Sequence, residues 1–215
     1  TQTVFNDGGA DIDFRIEGDT EANLFYVDAG NERIGMFTNA PQAEFHILRS
    51  ENADTVARVE NTNTGSSARG GVFIASDSST LQLYATSAAY SGVSSWADSG
   101  VISTGSGTSG GIILNSQANG PIKFQMATSE KMRLDSSGRL LLGTTTEGVA
   151  NASEFTIADT GHCGMTIRSG TSHDGQIAFS DGTSGDDEFR GQIRYNHTSN
   201  FLAIVTDATE CLRID

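Results

Sequence analysis

The chain has 215 residues and a formal net charge of -14, and its 25 glycines, 2 prolines and 36% hydrophobic residues describe a turn-rich chain with few strong helix formers in series. That charge repels a polyanion and removes the phosphate neutralisation on which nucleic-acid binding depends, so no nucleic acid is expected as a partner. No run approaches the ~20 consecutive apolar residues of a membrane span and no charged-then-apolar leader opens the chain, so membrane insertion is not expected; Thr1 is not an initiator methionine, and the true N-terminus is expected upstream.

The first element is "ADIDFRIEGD", where Ile12, Phe14 and Ile16 alternate with Asp11, Asp13, Arg15 and Glu17, the pattern of a half-buried strand. "LFYVDAGNERIGM" follows as strand, turn and strand, and "EFHI" opens the next run at 44–47. Helix is conceivable at "NADTVARVEN" and "TSAAYSGVSSWADSG", but their β-branched, Ser and Gly content argues against a long one. "LQLY" and "PIKFQM" alternate again through Leu81, Leu83, Ile122, Phe124 and Met126. Between them the glycine-rich run at 103–111 lacks the lysine a phosphate-binding loop needs and is expected to be a loop. "EKMRLDSSGRLLLGTT" then repeats strand, turn and strand, and "EFTI" at 154–157 echoes "EFHI". "GMTIRSG", "GQIAFSDG", "GQIRYNH" and finally "ECLRID" carry the alternation through Met165, Ile167, Ile177, Phe179, Ile193, Tyr195, Leu212 and Ile214.

The echoes come in a fixed order, which makes the chain a tandem array. Each copy opens with E-F-x-I, passes through an insert of variable length and closes with E-x-[ML]-R-[LI]-D; the expected organisation is a connector module at 1–41, a module at 42–148 with a long insert at about 54–127, and a second module at 149–215. In each closing strand two apolar residues share one face, and their burial falls short of the cost of ordering six backbone units, so neighbouring strands or sister chains must supply the rest. Short modules with thin cores in series favour sister chains. The expectation is an all-β, elongated stack of tandem modules (β-prism, triple β-helix or small sandwiches) in a parallel homotrimer. The outward Arg133 and Arg213 are expected to pair with Asp135 and Asp215 along or across strands.

With the segments "DGGADIDFRIEGDTEANLFYVDAGNERIGM", "EKMRLDSSGRLLLGTT" and "MTIRSGTSHDGQIAFSDGTSGDDEFRGQIRYNH" followed by "ECLRID", the chain resembles tail-fibre and tailspike-like structural proteins of tailed bacteriophages, particularly those of marine bacteria and cyanobacteria. The resemblance covers most of the chain. It implies a β-rich homotrimeric virion fibre, extracellular, joined to other tail or appendage proteins, whose distal parts meet host-surface polysaccharide or another receptor. The chain departs from that pattern at Phe37, where Gly is usual, and at Leu140 and Leu141, where Val and Gly are usual; these are expected to line a slightly wider core. The trimerisation chaperone that often ends such fibres has no counterpart here, so the trimerising element is expected outside these residues. The alternatives are a glycan-degrading tailspike segment and a cell-encoded trimeric surface adhesin.

Enzymatic chemistry finds little support. Asp181, Asp186, Asp187 and Glu188 are the densest acidic cluster, but they fall in a glycine-rich turn, whereas catalytic carboxyls need rigid positioning, so no catalytic residue is expected. The same loop lacks calcium-loop spacing, as does "DGGADID"; His162, Cys163, His173 and Asp174 supply ligand types without metal-site spacing, and Cys163 and Cys211, far apart and without CxxC spacing, are expected to be small buried residues or free thiols. No metal and no cofactor are expected. One stretch favours binding: Tyr84, Tyr90, Trp96 and Asp98, in the longer insert, place aromatic faces beside small polar groups, the chemistry of glycan contact.

Overall fold

The computed structural model describes residues 5, 6 and 8–215; Thr1, and Asp7 of the "DGGADID" run, lie outside the described residues. The chain is all-β, with two short 3-10 turns, Ser94–Trp96 and Gly185–Phe189, as its helical pieces among the described residues. The stretch "NADTVARVEN" forms no helix: Asn52 and Ala53 lie in a bend, and 54–61 belong to neither helix nor strand, in line with its β-branched content. Two compact units make up the chain, Thr1–Ile112 and Ile113–Asp215.

The first unit holds a four-stranded sheet, β1 (Phe14–Ile16), β2 (Phe25–Asp28), β3 (Arg33–Met36) and β4 (Phe45–Ile47), in that spatial order. β1, β2 and β3 run antiparallel, while β3 and β4 pair in parallel, Ile34 opposite Phe45 and Met36 opposite Ile47. A three-stranded antiparallel sheet follows, β5 (Arg69–Ala75), β6 (Thr80–Thr86) and β7 (Gly100–Thr104).

The second unit repeats the first sheet with β8 (Ile122–Met126), β9 (Ser129–Leu134), β10 (Leu140–Leu142) and β11 (Phe155–Ile157). Here too the last pair is parallel, Leu140 opposite Phe155 and Leu142 opposite Ile157. The E-F-x-I strand of each repeat therefore completes the sheet of the connector hairpin before it, across Pro41 in one case and Gly148 in the other. The fourth sheet is antiparallel throughout: β12 (Asp174–Phe179), β13 (Gly191–Asn196), β14 (Phe201–Thr206) and β15 (Thr209–Ile214).

The connector turns are built by one aspartate each. In "DSSGR" the Asp135 carboxylate accepts the N–H groups of Ser137 and Arg139 at 2.9 and 3.0 Å and the Arg139 Nε at 2.7 Å, while Gly138 takes φ 81°. In "DAGNER" the Asp28 carboxylate accepts the Asn31 N–H at 2.9 Å, and Glu32 supplies the positive φ, 56°. The strand after each turn ends on a second left-handed residue, Gly143 at φ 74° and Phe37 at φ 64°. At Gly143 a Cβ would run into the Ala158 carbonyl oxygen, so no side chain fits. At Phe37 the side chain compensates for the strained backbone, its ring lying 3.6 Å beneath the Arg49 guanidinium.

The cores are thin. Ala68 and Tyr84 are the buried apolar residues of the first unit, and Leu141, Phe201, Ala203 and Val205 those of the second, among the described residues. Leu141 is fully buried, whereas its neighbour Leu140 is on the opposite, open face, which corrects the expectation that both line one core. The folded chain exposes 16121 Å². Two compact units of half its mass would together expose roughly 11,500 Å² by ordinary surface-to-mass scaling.

Candidate functional site

Each sheet has one face made almost entirely of apolar side chains, and that face is open. In the β8–β11 sheet Ile122, Leu134, Leu140 and Phe155 form one cross-strand row, and Phe124, Met132, Leu142 and Ile157 the next. The first sheet repeats the arrangement: Phe14, Val27, Ile34 and Phe45 make one row, and the next has Ile16 opposite Phe25 and Met36 opposite Ile47. On the β12–β15 sheet Ile177, Ile193, Ile204 and Leu212 stand in line beside Tyr195, Leu202 and Ile214. On the β5–β7 sheet Val72, Leu83 and Ile102 lie beside Ile74 and Leu81. Leu142 at 40% and Phe155 at 52% exposure are typical of these positions. Cross-strand apolar pairs stabilise a sheet only when something covers them, and contiguous patches of this size mark interaction surfaces.

The opposite faces carry the few buried apolar residues, such as Leu141, Ala203 and Val205, and most of the paired charge. In β9 the ladder slips so that Phe124 faces Met132 and Gln125 faces Glu130, leaving Lys131 as a bulge; β15 slips identically, with Ile204 facing Leu212, Val205 facing Glu210 and Cys211 left over. One inserted residue reverses the alternation, so Glu130 and Arg133, three apart, reach the same face. The Arg133 guanidinium donates Nε to Glu130 Oε1 and Nη2 to Oε2 at 2.8 Å. Arg213 repeats this fork on Glu210 at 2.8 and 3.0 Å. These pairs correct the expectation for Arg133 and Arg213, since Asp135 is occupied by the turn and by Arg139. The hydrogen bond from Arg133 holds the Glu130 carboxyl below its ordinary range, and Arg213 does the same for Glu210. On the first sheet the Tyr26 hydroxyl donates to Asp13, which lowers the Asp13 carboxyl and pushes the phenol up to about 12.

Of the residues expected to contact glycan, Tyr84 and Trp96 are brought together, their ring centroids 6.0 Å apart, and Phe73 joins edge-on at 5.6 Å from Tyr84. The Arg69 guanidinium lies 4.8 Å over the Tyr84 ring, which is only 6% exposed. Tyr90 and Asp98 are held near each other through the backbone, both N–H groups donating to the Ser87 carbonyl at 3.1 Å. Asp98 is exposed with φ 54°, and the Tyr90 ring forms none of the aromatic pairs among the described residues.

Arg190, which alternation and motif spacing do not single out, organises the acidic loop. Its guanidinium reaches Asp187 at 2.6 Å, Asp207 at 2.7 Å and Asp181 at 3.4 Å, all solvent-exposed carboxylates. The one clue in the sequence is that Arg190 follows Asp187 by three in a tight turn. The possible metal ligands are scattered in use: the Cys163 thiol donates to the Ile157 carbonyl at 3.6 Å, and Asp174 accepts from Asn196 at 2.7 Å. Among the described residues no three His, Cys, Asp or Glu side chains gather as a metal site, and no helix is long and apolar enough to cross a membrane.

No family model matches the chain, and none of the curated proteins matches it.

Proposed function

We propose that the chain is a non-enzymatic structural segment of a phage tail fibre or similar virion appendage, a parallel homotrimer that carries host-attachment surfaces away from the particle. The observation that supports this reading is the repeated sheet whose whole apolar face lies uncovered within its own chain. Three copies placing identical faces about a common axis, as a β-prism, cover each face with its own counterpart and turn the charged faces, with their Arg–Glu forks, to water. The aromatic insert then stands on the outside, where Trp96, Tyr90 and Asp98, carried over the buried Tyr84 ring, give three equivalent glycan contacts and the avidity that comes with them.

Light scattering on the full-length chain is expected to give three times the monomer mass; a stable monomer overturns the proposal. Antibodies to the chain are expected to decorate tail appendages in electron microscopy of the particles. Release of oligosaccharides from host polysaccharide would replace this reading with a glycan-degrading spike. A parent gene with a secretion signal among cellular genes would replace it with a surface adhesin.

A further inference from the structure

Two stretches of backbone run without helix, turn or bend, exposed and unpaired. Residues 54–60 and 164–168 belong to no sheet, and their peptide groups make no hydrogen bond among the described residues. They occupy the same place in the two modules, each leading into the first strand of a sheet. Both cross that strand at a glycine: a Cβ on Gly70 would sit 3.2 Å from the Val59 carbonyl oxygen, and one on Gly175 3.8 Å from the Ile167 side chain. The Arg58 guanidinium reaches Glu60 at 2.5 Å, the i to i+2 neighbour of a β-strand, which sends Ala57 and Val59 to the other side. Val56, Val59, Met165 and Ile167 remain 45% to 68% exposed.

Holding five to seven residues extended costs about 1 to 2 kcal/mol each, and here neither a ladder nor buried side chains within the chain offset it. Extended backbone with free N–H and C=O groups is what a sheet edge accepts as an added strand, whichever side its apolar residues take: Met165 and Ile167 share one side, whereas Val56 and Val59 fall on opposite sides. Such edges exist on this same chain, since all four sheets are open and end in unpaired outer strands. The surface in excess of two compact units, roughly 4,600 Å² against the ~800 Å² per partner of a standard interface, is in the range of obligate association. A ligand of other chemistry gives no reason for both modules to hold the same strand free; a second copy does, because each copy offers both strands and edges.

We infer that residues 54–60 and 164–168 are strands of a ladder between copies, each adding its backbone to a sheet edge of a second copy of this chain. The inference rests on the homotrimer reading and adds to it: the copies are joined by backbone hydrogen bonds through these two segments as well as by their apolar faces.

Hydrogen exchange on the full chain, resolved by residue and run on material whose mass has been fixed by light scattering, tests it. In the trimer, alternate amides within 54–60 and 164–168 are expected to exchange at least ~100-fold more slowly than unstructured peptide, the alternation marking N–H groups turned to the partner. A photo-crosslinker at Val56 or Met165 is expected to join two copies. Proline at Thr166 and at its neighbour Ile167 should differ, one lowering the Tm of the assembly and the other leaving it, because only one of the two N–H groups is bonded. A trimer whose segments exchange freely, or cross-link only within one copy, overturns this inference and leaves the homotrimer standing. A monomer overturns both.

Discussion

The open face of the β8–β11 sheet gives a direct test through Leu142. It lies between Met132 and Ile157 in the second apolar row and is 40% exposed in the single chain. Covering the remaining two-fifths of a leucine is worth about 0.6 to 1.2 kcal/mol per copy, or ~2 to 4 kcal/mol for three copies. Loss of that contact alone raises the dissociation constant of a trimer roughly 30- to 1000-fold. In the proposed trimer Leu142→Lys adds three ammonium groups brought together in an apolar interior, each costing several kcal/mol to desolvate. The same charge at Gln125, on the opposite face of the same sheet, meets water. Leu142→Lys is therefore expected to sediment as a folded monomer or fail to assemble, while Gln125→Lys assembles with unchanged mass and a Tm within a few degrees. A Leu142→Lys protein with trimer mass and unaltered thermal stability would refute the claim that this face is covered by sister copies.

Leu141→Ala, on the covered side of the same strand, is expected to cost about 2 to 5 kcal/mol in denaturant unfolding, more than Leu140→Ala measured in the dissociated chain. Gly143→Ala should lower Tm sharply, since its Cβ meets a carbonyl oxygen and φ is 74°. Phe37→Ala keeps the left-handed backbone and loses the Arg49 stack, so it is expected to be less stable than both the parent and Phe37→Gly in parallel thermal melts. Stability should also bend with pH at both ends. Glu130, Glu210, Asp13 and Asp135 have folded pKa values below their ordinary ones, so their contribution is complete above the unfolded carboxylate range and fades as pH falls through the lowered values. Tyr26 is raised from 10.0 to about 12, so its contribution is complete below pH 10 and is lost as pH rises toward 12. Tyr26→Phe is expected to remove that alkaline limb, and ultraviolet titration of the phenols to show one tyrosine fewer ionising late.

Alternation made most strands legible, because a period of two with turn residues at both ends has few other meanings. "ADIDFRIEGD", "PIKFQM", "LQLY", "GQIAFSDG", "GQIRYNH" and "ECLRID" all contribute strands. It also identified the apolar face of each, though not what covers it, since a period says only that two faces differ. "GMTIRSG" shows the limit: its pattern is that of a half-buried strand and its backbone runs without helix, turn or bend, but no strand of its own chain pairs with it. The Glu–Arg fork was hidden for a different reason. Strict alternation sends residues three apart to opposite faces, and nothing in the identities of Lys131 and Cys211 marks the bulge that brings them together. Repetition of the hexapeptide was the available signal, because Glu at the first position and Arg at the fourth recur together in both copies.

The two copies differ in how their strands are grouped, and the difference bears on why one can carry a long insert. In the second copy β12 to β15 form one continuous sheet, whereas in the first the corresponding strands fall in two sheets, β5 to β7 in one and β8 and β9 in the next, with residues 105–121 between them. Breaking a sheet inside an ordinary compact domain opens its core. Here the core within each chain is small, and every hairpin keeps its own ladder, so the break removes one strand pairing and little buried surface. Each separated sheet still presents a complete apolar face, and in the proposed assembly that face is covered by its counterparts on the sister copies and not by its neighbours in sequence. Insert length is then free to vary wherever a strand pair can be parted, and the connection between β6 and β7, which carries Tyr90, Trp96 and Asp98, lengthens without cost to the faces that hold the copies together.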